Sequence, residues 1–204
     1  YPIAEAAIGE LDLDALHGGL GSEILLGTMA HYEYQLGLGR EPALELARRA
    51  LAPGNLLASG SIAFYYAAMV LPQSGLLDEA VSIFDQAVAH ARRRGDIFNV
   101  AFMLMWRGYC QTRRGDLRAA VADLREAIDL CVAHGMLVAW PYNIAFLALA
   151  LLEQGETDEA ARVIDQGDFP EQVSLGQIPL VWFRLSRGRL RIETGSPERG
   201  VEEL

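Results

Sequence analysis

The stretch that decides the fold is residues 108–127, GYCQTRRGDLRAAVADLREA. It places the small Gly108 seven residues before a turn glycine, Gly115, and then the small Ala120 and the large Leu124. Two helices joined by a tight turn approach closely only where one of them lacks bulk, and a large residue of the other then fills the groove. The stretch therefore predicts a pair of antiparallel helices.

The same pattern recurs with a period of 40 residues. The turn glycines are Gly75, Gly115, Gly155 and Gly195. Five residues after each of them the side chain is small, and nine residues after each it is large. The small residues are Ala80, Ala120, Ala160 and Gly200, and the large ones are Phe84, Leu124, Ile164 and Leu204. A fixed period of this length indicates an all-α array in which each helix pair packs on the next.

The period divides residues 1–204, taken as a single domain, into about five helix pairs. Their approximate ranges are 22–54, 59–95, 97–135, 137–168 and 174–204. The register of the first pair is looser, and its helices are predicted near 22–36 and 42–51. A short helix and a turn-rich connection are predicted before residue 22. Asp116 and Ser196 follow turn glycines and are predicted as N-caps, while Gly95 and Gly135 are predicted to end second helices.

The composition argues against two classes of partner. The chain has 17 arginines, no lysine and 27 acidic residues, for a net charge of -10. Neither nucleic acid nor an anionic membrane surface attracts such a chain.

The longest apolar stretch, residues 136–152, is shorter than the roughly 20 residues of a spanning helix. Cys110 and Cys131 lie in apolar helical patterns and are predicted as buried reduced thiols, which favours a cytoplasmic location.

No arrangement of residues in the sequence predicts catalysis, a metal site or a cofactor. There is no H-E-x-x-H, no closely spaced Cys/His set, no G-x-S-x-G elbow and no phosphate loop. His90 and His134 lie near the ends of predicted helices, where an imidazolium favours the helix dipole. The carboxylate pairs 78–79 and 158–159 lie at helix starts for the same reason. We therefore expect a protein that is not an enzyme.

The repeated residues resemble the tetratricopeptide (TPR) signature. The best copy is Gly108, Gly115-Asp116, Ala120, Leu124 and Ala127. Two features depart from that signature: Leu104 replaces the usual tryptophan, and the period is longer than the usual repeat of about 34 residues. The resemblance implies a right-handed α-α superhelix, a TPR-like solenoid of about five repeats.

Two phrases, residues 115–120 and 127–135, are similar to the helical region of large bacterial LuxR-type transcriptional regulators. Those proteins join an ATPase module, a helical superhelix and a DNA-binding helix-turn-helix. The resemblance implies a sensor domain that binds a small-molecule effector, or a protein or peptide partner, and relays this to the other parts. Because Leu204 falls within a predicted helix, we expect a fragment of a longer chain. The sequence leaves open a free-standing adaptor and a homo-oligomer that stacks through an uncapped end.

The TPR resemblance also implies where a ligand would lie, because first helices of such pairs line the concave surface. Transferring that face by repeat position selects nine residues for a ligand or partner groove. They are Tyr65, Met69, Phe102, Met105, Tyr109, Arg113, Tyr142, Trp182 and Arg189. Aromatic rings suit a peptide, a partner helix or a sugar-like ring, and arginine suits an anionic group. The alternative is that some of these side chains pack between adjacent repeats.

Overall fold

The structure, a computed structural model, describes residues 18–136, 139–168 and 178–203, with the side chains of 178 and 179 excepted. Within these ranges the chain forms eleven α-helices and no strand, as the sequence predicts. The helices pack with their neighbours in two compact units, Tyr1–Leu76 and Leu77–Leu204. The predicted pair 59–95 therefore has its first helix in one unit and its second in the other. The helix predicted before residue 22 falls mainly on residues 1–17, outside the described ranges.

The first unit contains four of the helices. They are α1 (Leu20–Gln35), α2 (Arg40–Leu51), α3 (Asn55–Ser59) and α4 (Ile62–Gln73). The predictions near 22–36 and 42–51 are confirmed, and the short α3 is an element that the periodicity did not indicate. Helix α1 packs on both α2 and α4. Its approach to α4 is close, because a Cβ added at Gly27 would lie 2.8 Å from the carbonyl oxygen of Ala63.

The second unit contains the other seven helices. They are α5 (Leu77–Arg94), α6 (Ile97–Arg114), α7 (Leu117–His134), α8 (Trp140–Glu153), α9 (Thr157–Gln166), α10 (Ile178–Glu193) and α11 (Pro197–Glu203). Each helix packs on the next along the chain. The first helices of successive pairs also pack on one another, α6 on α8 and α8 on α10. This second set of contacts places side chains from three repeats next to each other.

The turns of the second unit share one geometry, which explains the glycine period. Gly95, Gly115, Gly135, Gly155 and Gly195 all have φ between 65° and 88°. This left-handed conformation strains any residue with a Cβ. The residue after each glycine donates its N–H to the carbonyl oxygen five positions earlier, at 2.8 to 3.0 Å. These bonds satisfy carbonyl groups that the end of the helix would otherwise leave unpaired.

The predicted contact between small and large residues is present in the structure. A Cβ added at Gly108 would lie 2.6 Å from Cγ of Leu124, which is itself fully buried. In the last pair, a Cβ added at Gly200 would lie 2.6 Å from the carbonyl oxygen of Gly188. The small residues at these positions therefore let the two helices of a pair approach closely.

Both N-cap predictions hold for position, but at Asp116 the predicted capping bond is not formed. Asp116 and Ser196 directly precede α7 and α11, as predicted. The carboxylate of Asp116, however, accepts no capping hydrogen bond; it contacts Arg114 at 3.4 Å instead. Asp96 does cap α6, accepting from the backbone N–H of Asn99 at 3.1 Å. Hydrogen bonds from the side chain and backbone of Asn99 lower the pKa of Asp96.

Both cysteines are buried, and neither forms a disulfide. Burial raises the pKa of Cys110 to about 12, so its thiol stays protonated near neutral pH. Burial also raises the pKa of Cys131. The helices that the structure describes include none with the length and apolar character needed to cross a bilayer.

Candidate functional site: an aromatic cleft in the second unit

The nine residues predicted for a groove are divided between the two units. Tyr65 and Met69 lie on α4 of the first unit, where Met69 is buried and the ring of Tyr65 lies 5.8 Å from that of Tyr66. The other seven lie in the second unit, on α6, α8 and α10. These three helices pack side by side, so the second unit is where most of the predicted residues come together.

A continuous aromatic row crosses the three helices. Its members are Phe98, Phe102, Trp106 and Tyr109 on α6, Tyr142 and Phe146 on α8, and Trp182 on α10. Neighbouring rings lie 4.9 to 6.4 Å apart between centroids. The row arises from the repeat, because residues 102, 142 and 182 occupy equivalent positions, as do 106 and 146. Contacts between aromatic rings at such distances stabilise the fold by more than the burial of their apolar surface alone would.

The end of this row that lies against Trp182 opens into a cleft of about 600 Å³. Three rings form what we call the aromatic floor. Their centroids are separated by 4.9 Å between Tyr109 and Phe146, 5.5 Å between Tyr109 and Trp182, and 5.3 Å between Phe146 and Trp182. The remaining lining residues are Thr112, Arg113, Arg114, Gly115, Leu117, Leu149, Glu153, Leu185 and Arg189.

Three arginines and one carboxylate line the cleft. The guanidinium carbon of Arg113 lies 5.8 Å from the centroid of the Tyr109 ring, a cation–π contact. Arg114 pairs with Asp78 at 3.1 Å and with Asp116 at 3.4 Å. These contacts place positive charge along the side of the cleft that α6 forms.

Arg189 links two helices at the opposite side of the cleft. It donates to Glu153 of α8 and, at 2.9 Å, to Glu193 of its own helix. Burial alone would lower the pKa of Arg189, but hydrogen bonds to Glu153 and Glu193 raise it above its ordinary value. Arg189 therefore remains charged, and its ion pair joins α8 to α10 beside the aromatic floor.

Four of the predicted residues line the cleft: Tyr109, Arg113, Trp182 and Arg189. Phe102 and Tyr142 belong to the aromatic row but lie next to Trp106, outside the lining. Burial raises the pKa of the Tyr142 hydroxyl. Met105 is fully buried in the packing of the unit. The structure thus brings four of the predicted residues together in one cleft, and their role in binding a ligand or partner stays a prediction.

Two residues central to the cleft, Phe146 and Glu153, were missed from the sequence. Both could have been found from the 40-residue period: Phe146 is the repeat equivalent of Trp106, and Glu153 is the repeat equivalent of the predicted Arg113. Leu149 is likewise equivalent to Tyr109. Transferring positions by this chain's own period, as well as by the TPR face, would have selected them.

The side chains of the cleft offer several kinds of group that could contact a ligand. These are aromatic rings, guanidinium groups, one carboxylate and two hydroxyl groups. One of these hydroxyls, that of Thr112, donates to the carbonyl of Gly108 at 2.9 Å. Across the described residues, no group of three or more His, Cys, Asp or Glu side chains is placed to hold a metal ion. The arrangement is suited to recognising a ligand with both apolar and polar parts.

Comparisons with known proteins add no relative. No protein-family model matches the chain, and no curated protein matches it either. The cleft and the repeat are therefore the observations from which a function can be argued.

Proposed function

We propose that this chain is a TPR-like superhelical sensor domain of a cytoplasmic bacterial LuxR-type transcriptional regulator. In this proposal it binds an effector or a protein partner without catalysing a reaction, and it relays binding to ATPase and DNA-binding parts. The family resemblance of residues 115–120 and 127–135 motivates the choice of regulator. The single structural observation that carries the binding role is the cleft over the aromatic floor.

The size and position of the cleft support a binding role. Its volume of about 600 Å³ lies within the range of roughly 300–1,000 Å³ that is usual for small-molecule pockets. It is formed by the first helices of three consecutive pairs, and the ion pair of Arg189 with Glu153 joins two of them. A ligand that favours one arrangement of α8 and α10 over another would shift their packing, which is how binding at one site reaches another.

Nuclear magnetic resonance on the intact chain tests this proposal. The chain has three tryptophans, of which Trp182 lines the cleft while Trp140 does not. A panel of sugars, nucleosides and small carboxylic acids is titrated while the three indole N–H signals are followed. We expect at least one compound to shift the Trp182 signal and leave that of Trp140 in place.

A matched pair of variants completes that test. Each variant removes one of the indole signals, so its binding is measured by calorimetry: Trp182→Ala should abolish binding of the active compound, whereas Trp140→Ala should retain it. If no compound in a broad panel moves the Trp182 signal, and no partner domain does so, the binding role of the cleft is wrong.

A second function, that of an adaptor for another protein, is favoured by one observation. Phe98 begins the aromatic row with 50% of its surface exposed, and its ring stacks on Phe102 at 5.9 Å. An exposed ring continuing a row of aromatic side chains is typical of a protein contact. Phe98→Ala should weaken capture of a partner protein without changing small-molecule binding at Trp182. If Phe98→Ala instead weakened small-molecule binding and left capture of the partner protein unchanged, the adaptor would be excluded.

Sedimentation of the intact chain separately tests whether the partner is a second copy.

A further inference from the structure

We infer that the ligand of the cleft is an uncharged molecule with a planar aromatic ring and one hydrogen-bond acceptor, and that Nη2 of Arg189 donates to this acceptor. This inference rests on the proposed binding role and names the chemical class of the ligand. Three features of the cleft carry it: the aromatic floor, the pairing of the polar side chains around it, and the donor that this pairing leaves.

The aromatic floor favours a flat apolar body. Phe146 is buried, whereas Tyr109 and Trp182 are half-buried and keep part of their surface open to the cleft. The rings of Trp182 and Tyr109 meet at 73° and those of Trp182 and Phe146 at 78°, so the floor combines edges and faces. A planar aromatic ring can pack against such a floor in a stacked or edge-to-face arrangement, and Leu149 and Leu185 extend its apolar surface.

Most polar side chains of the lining already have a partner within the protein. The hydroxyl of Thr112 donates to the carbonyl oxygen of Gly108 at 2.9 Å. Arg113 lies over the Tyr109 ring, and neither of these two residues lacks a partner. A sugar or another polyol would place several hydroxyl groups against side chains with little hydrogen-bonding capacity left, and a buried hydroxyl group without a partner costs free energy. The lining therefore favours a ligand with few polar groups.

The charges beside the floor are also paired, which favours an uncharged ligand. Arg114 is held by two carboxylates, at 3.1 and 3.4 Å. Arg189 donates to Glu153 and, at 2.9 Å, to Glu193. A charged ligand of either sign would meet like charges here, while the opposite charges already have partners. The net charge of the chain, -10, adds a general repulsion of anions.

Nη2 of Arg189 is a donor that none of the described residues uses. The hydrogen bonds of Arg189 to its two carboxylates leave from Nε and Nη1, so the N–H groups of Nη2 can serve another acceptor. The side chain is 37% exposed and belongs to the lining of the cleft. Residues 182 and 189 lie seven apart on one face of α10, so one ligand can contact the ring of Trp182 and the guanidinium of Arg189.

The two carboxylates make Arg189 a donor of fixed orientation. Glu153 lies on α8 and Glu193 on α10, so the guanidinium is held between two helices. A donor that is already held in place loses little conformational entropy when it binds a ligand. The two negative charges beside it repel a carboxylate but not a neutral carbonyl group. We therefore expect an acceptor such as an amide or ketone oxygen.

Four small molecules test the ligand class on the intact chain. Benzamide, benzoate and benzamidine have nearly the same shape but are neutral, anionic and cationic, and cyclohexanecarboxamide carries the same amide on a ring that is not flat. Each is titrated while the indole N–H signal of Trp182 is followed. We expect benzamide to bind about tenfold more tightly than the two charged probes, whose charge would leave water without a partner. It should bind about fivefold more tightly than cyclohexanecarboxamide, which lacks the contacts between aromatic rings.

Two variants with the same substitution test the role of Arg189. Arg189→Lys keeps a positive charge beside the two carboxylates but ends before the position of Nη2, so the affinity for benzamide should fall about tenfold. Arg184→Lys changes another arginine of α10 that does not line the cleft, and it should keep the affinity of the parent chain. If the two variants bind benzamide equally well, the role of Arg189 is wrong.

Toluene distinguishes a lost hydrogen bond from a distorted cleft. It has the aromatic ring but no acceptor, so its weak affinity should be the same for the parent chain and for Arg189→Lys. Unchanged indole signals of Trp106 and Trp140 verify that both variants fold. A loss of toluene binding as large as that of benzamide would mean that Arg189 acts only through the packing of α8 and α10, and its contact with the ligand would be overturned.

The outcomes separate this inference from the proposed function. Binding of benzoate or benzamidine as tight as that of benzamide would overturn the uncharged ligand, and equally tight binding of cyclohexanecarboxamide would overturn the planar ring. In either case the binding role of the cleft would stand. If none of the four probes moved the Trp182 signal, the ligand class would be overturned. The wider panel of compounds and partner domains then decides the binding role by itself.

Discussion

One position of the repeat has opposite chemistry in different helix pairs of the second unit. Between α6 and α7, Nε of Arg107 lies 2.6 Å from Oδ2 of Asp123, with the two side chains 16% and 11% exposed. One period later, between α8 and α9, the equivalent residues are Leu147 and Val163, both buried. The repeat therefore places equivalent positions on the two helices of each pair, and either an ion pair or an aliphatic pair occupies them.

The last pair returns to the ionic form. Nε of Arg187 lies 2.8 Å from Oε2 of Glu203, and Arg191 contacts the same carboxylate. These residues follow the Arg107 and Asp123 positions by two periods. Removing two charges from water costs free energy, and this cost offsets much of the free energy gained from their attraction. A buried ion pair is therefore not inherently more stabilising than an aliphatic pair. The two forms differ instead in what happens when one partner is lost.

The largest effect is expected when one half of the buried ion pair is removed. Arg107→Leu leaves the carboxylate of Asp123 buried without its charged partner, which should lower the free energy of unfolding by about 3 kcal/mol. Urea unfolding followed by tryptophan fluorescence measures this, because Trp106, Trp140 and Trp182 all lie in the second unit. The exposed partner of Arg107 supplies a control: Asp85, 56% exposed, can be changed to Ala at a cost below about 1 kcal/mol.

The double variant Arg107→Leu with Asp123→Val distinguishes a lost partner from a packing defect. It copies the pair found one period later, so its stability should return to within about 1 kcal/mol of the parent. A double variant as unstable as Arg107→Leu alone would show that the two repeats do not provide equivalent surroundings at this position.

An intermediate effect is expected at the contact between small and large residues. Gly108→Ala adds a methyl group 2.6 Å from Cγ of Leu124. Crowding of this kind should lower the free energy of unfolding by about 2 kcal/mol. Alanine recovers up to about 1 kcal/mol through its helix propensity, so the net loss should be about 1 kcal/mol. Adding Leu124→Ile copies the equivalent residues Ala148 and Ile164 and should restore stability. The same urea titrations measure all three proteins, and a gain in stability for Gly108→Ala alone would contradict the close contact.

The smallest effect is expected for an ion pair at the surface. Arg92 of α5 contacts Glu126 of α7 at 2.7 Å, with side chains 51% and 46% exposed. Water screens such a pair, so Arg92→Gln should cost less than about 0.5 kcal/mol, and this loss should vanish in high salt. Unfolding at two salt concentrations provides the measurement. A loss comparable to that of Arg107→Leu would mean that burial does not distinguish the two classes of ion pair.

The helices and turns could be predicted from the sequence because their causes are local and repeated. Gly115 must adopt a left-handed conformation wherever a helix ends in this turn, and Ala120 must be small wherever a neighbour approaches. The division after Leu76 and the short α3 have no counterpart in the period, so periodicity could not reveal them. The missing capping bond of Asp116 depends on the nearby Arg114, which a local rule ignores.

The cleft was only partly predictable because a first helix has two neighbours on nearly the same face. Tyr109 and Trp182 face the cleft, yet Met105, four residues before Tyr109, is fully buried. Which side chain is covered depends on how closely α8 packs against α6, and that distance is set by residues of both helices. A face transferred from another repeat family carries no information about that distance.

The shared turn geometry makes 40 residues the natural unit for lengthening or shortening this array. A copy of one period inserted at Gly115 or Gly155 would begin and end on the same left-handed glycine, with the same backbone bond after it. An insertion of any other length would rotate the following helices and bring large side chains against large ones. The molecule can therefore be extended in steps of one helix pair.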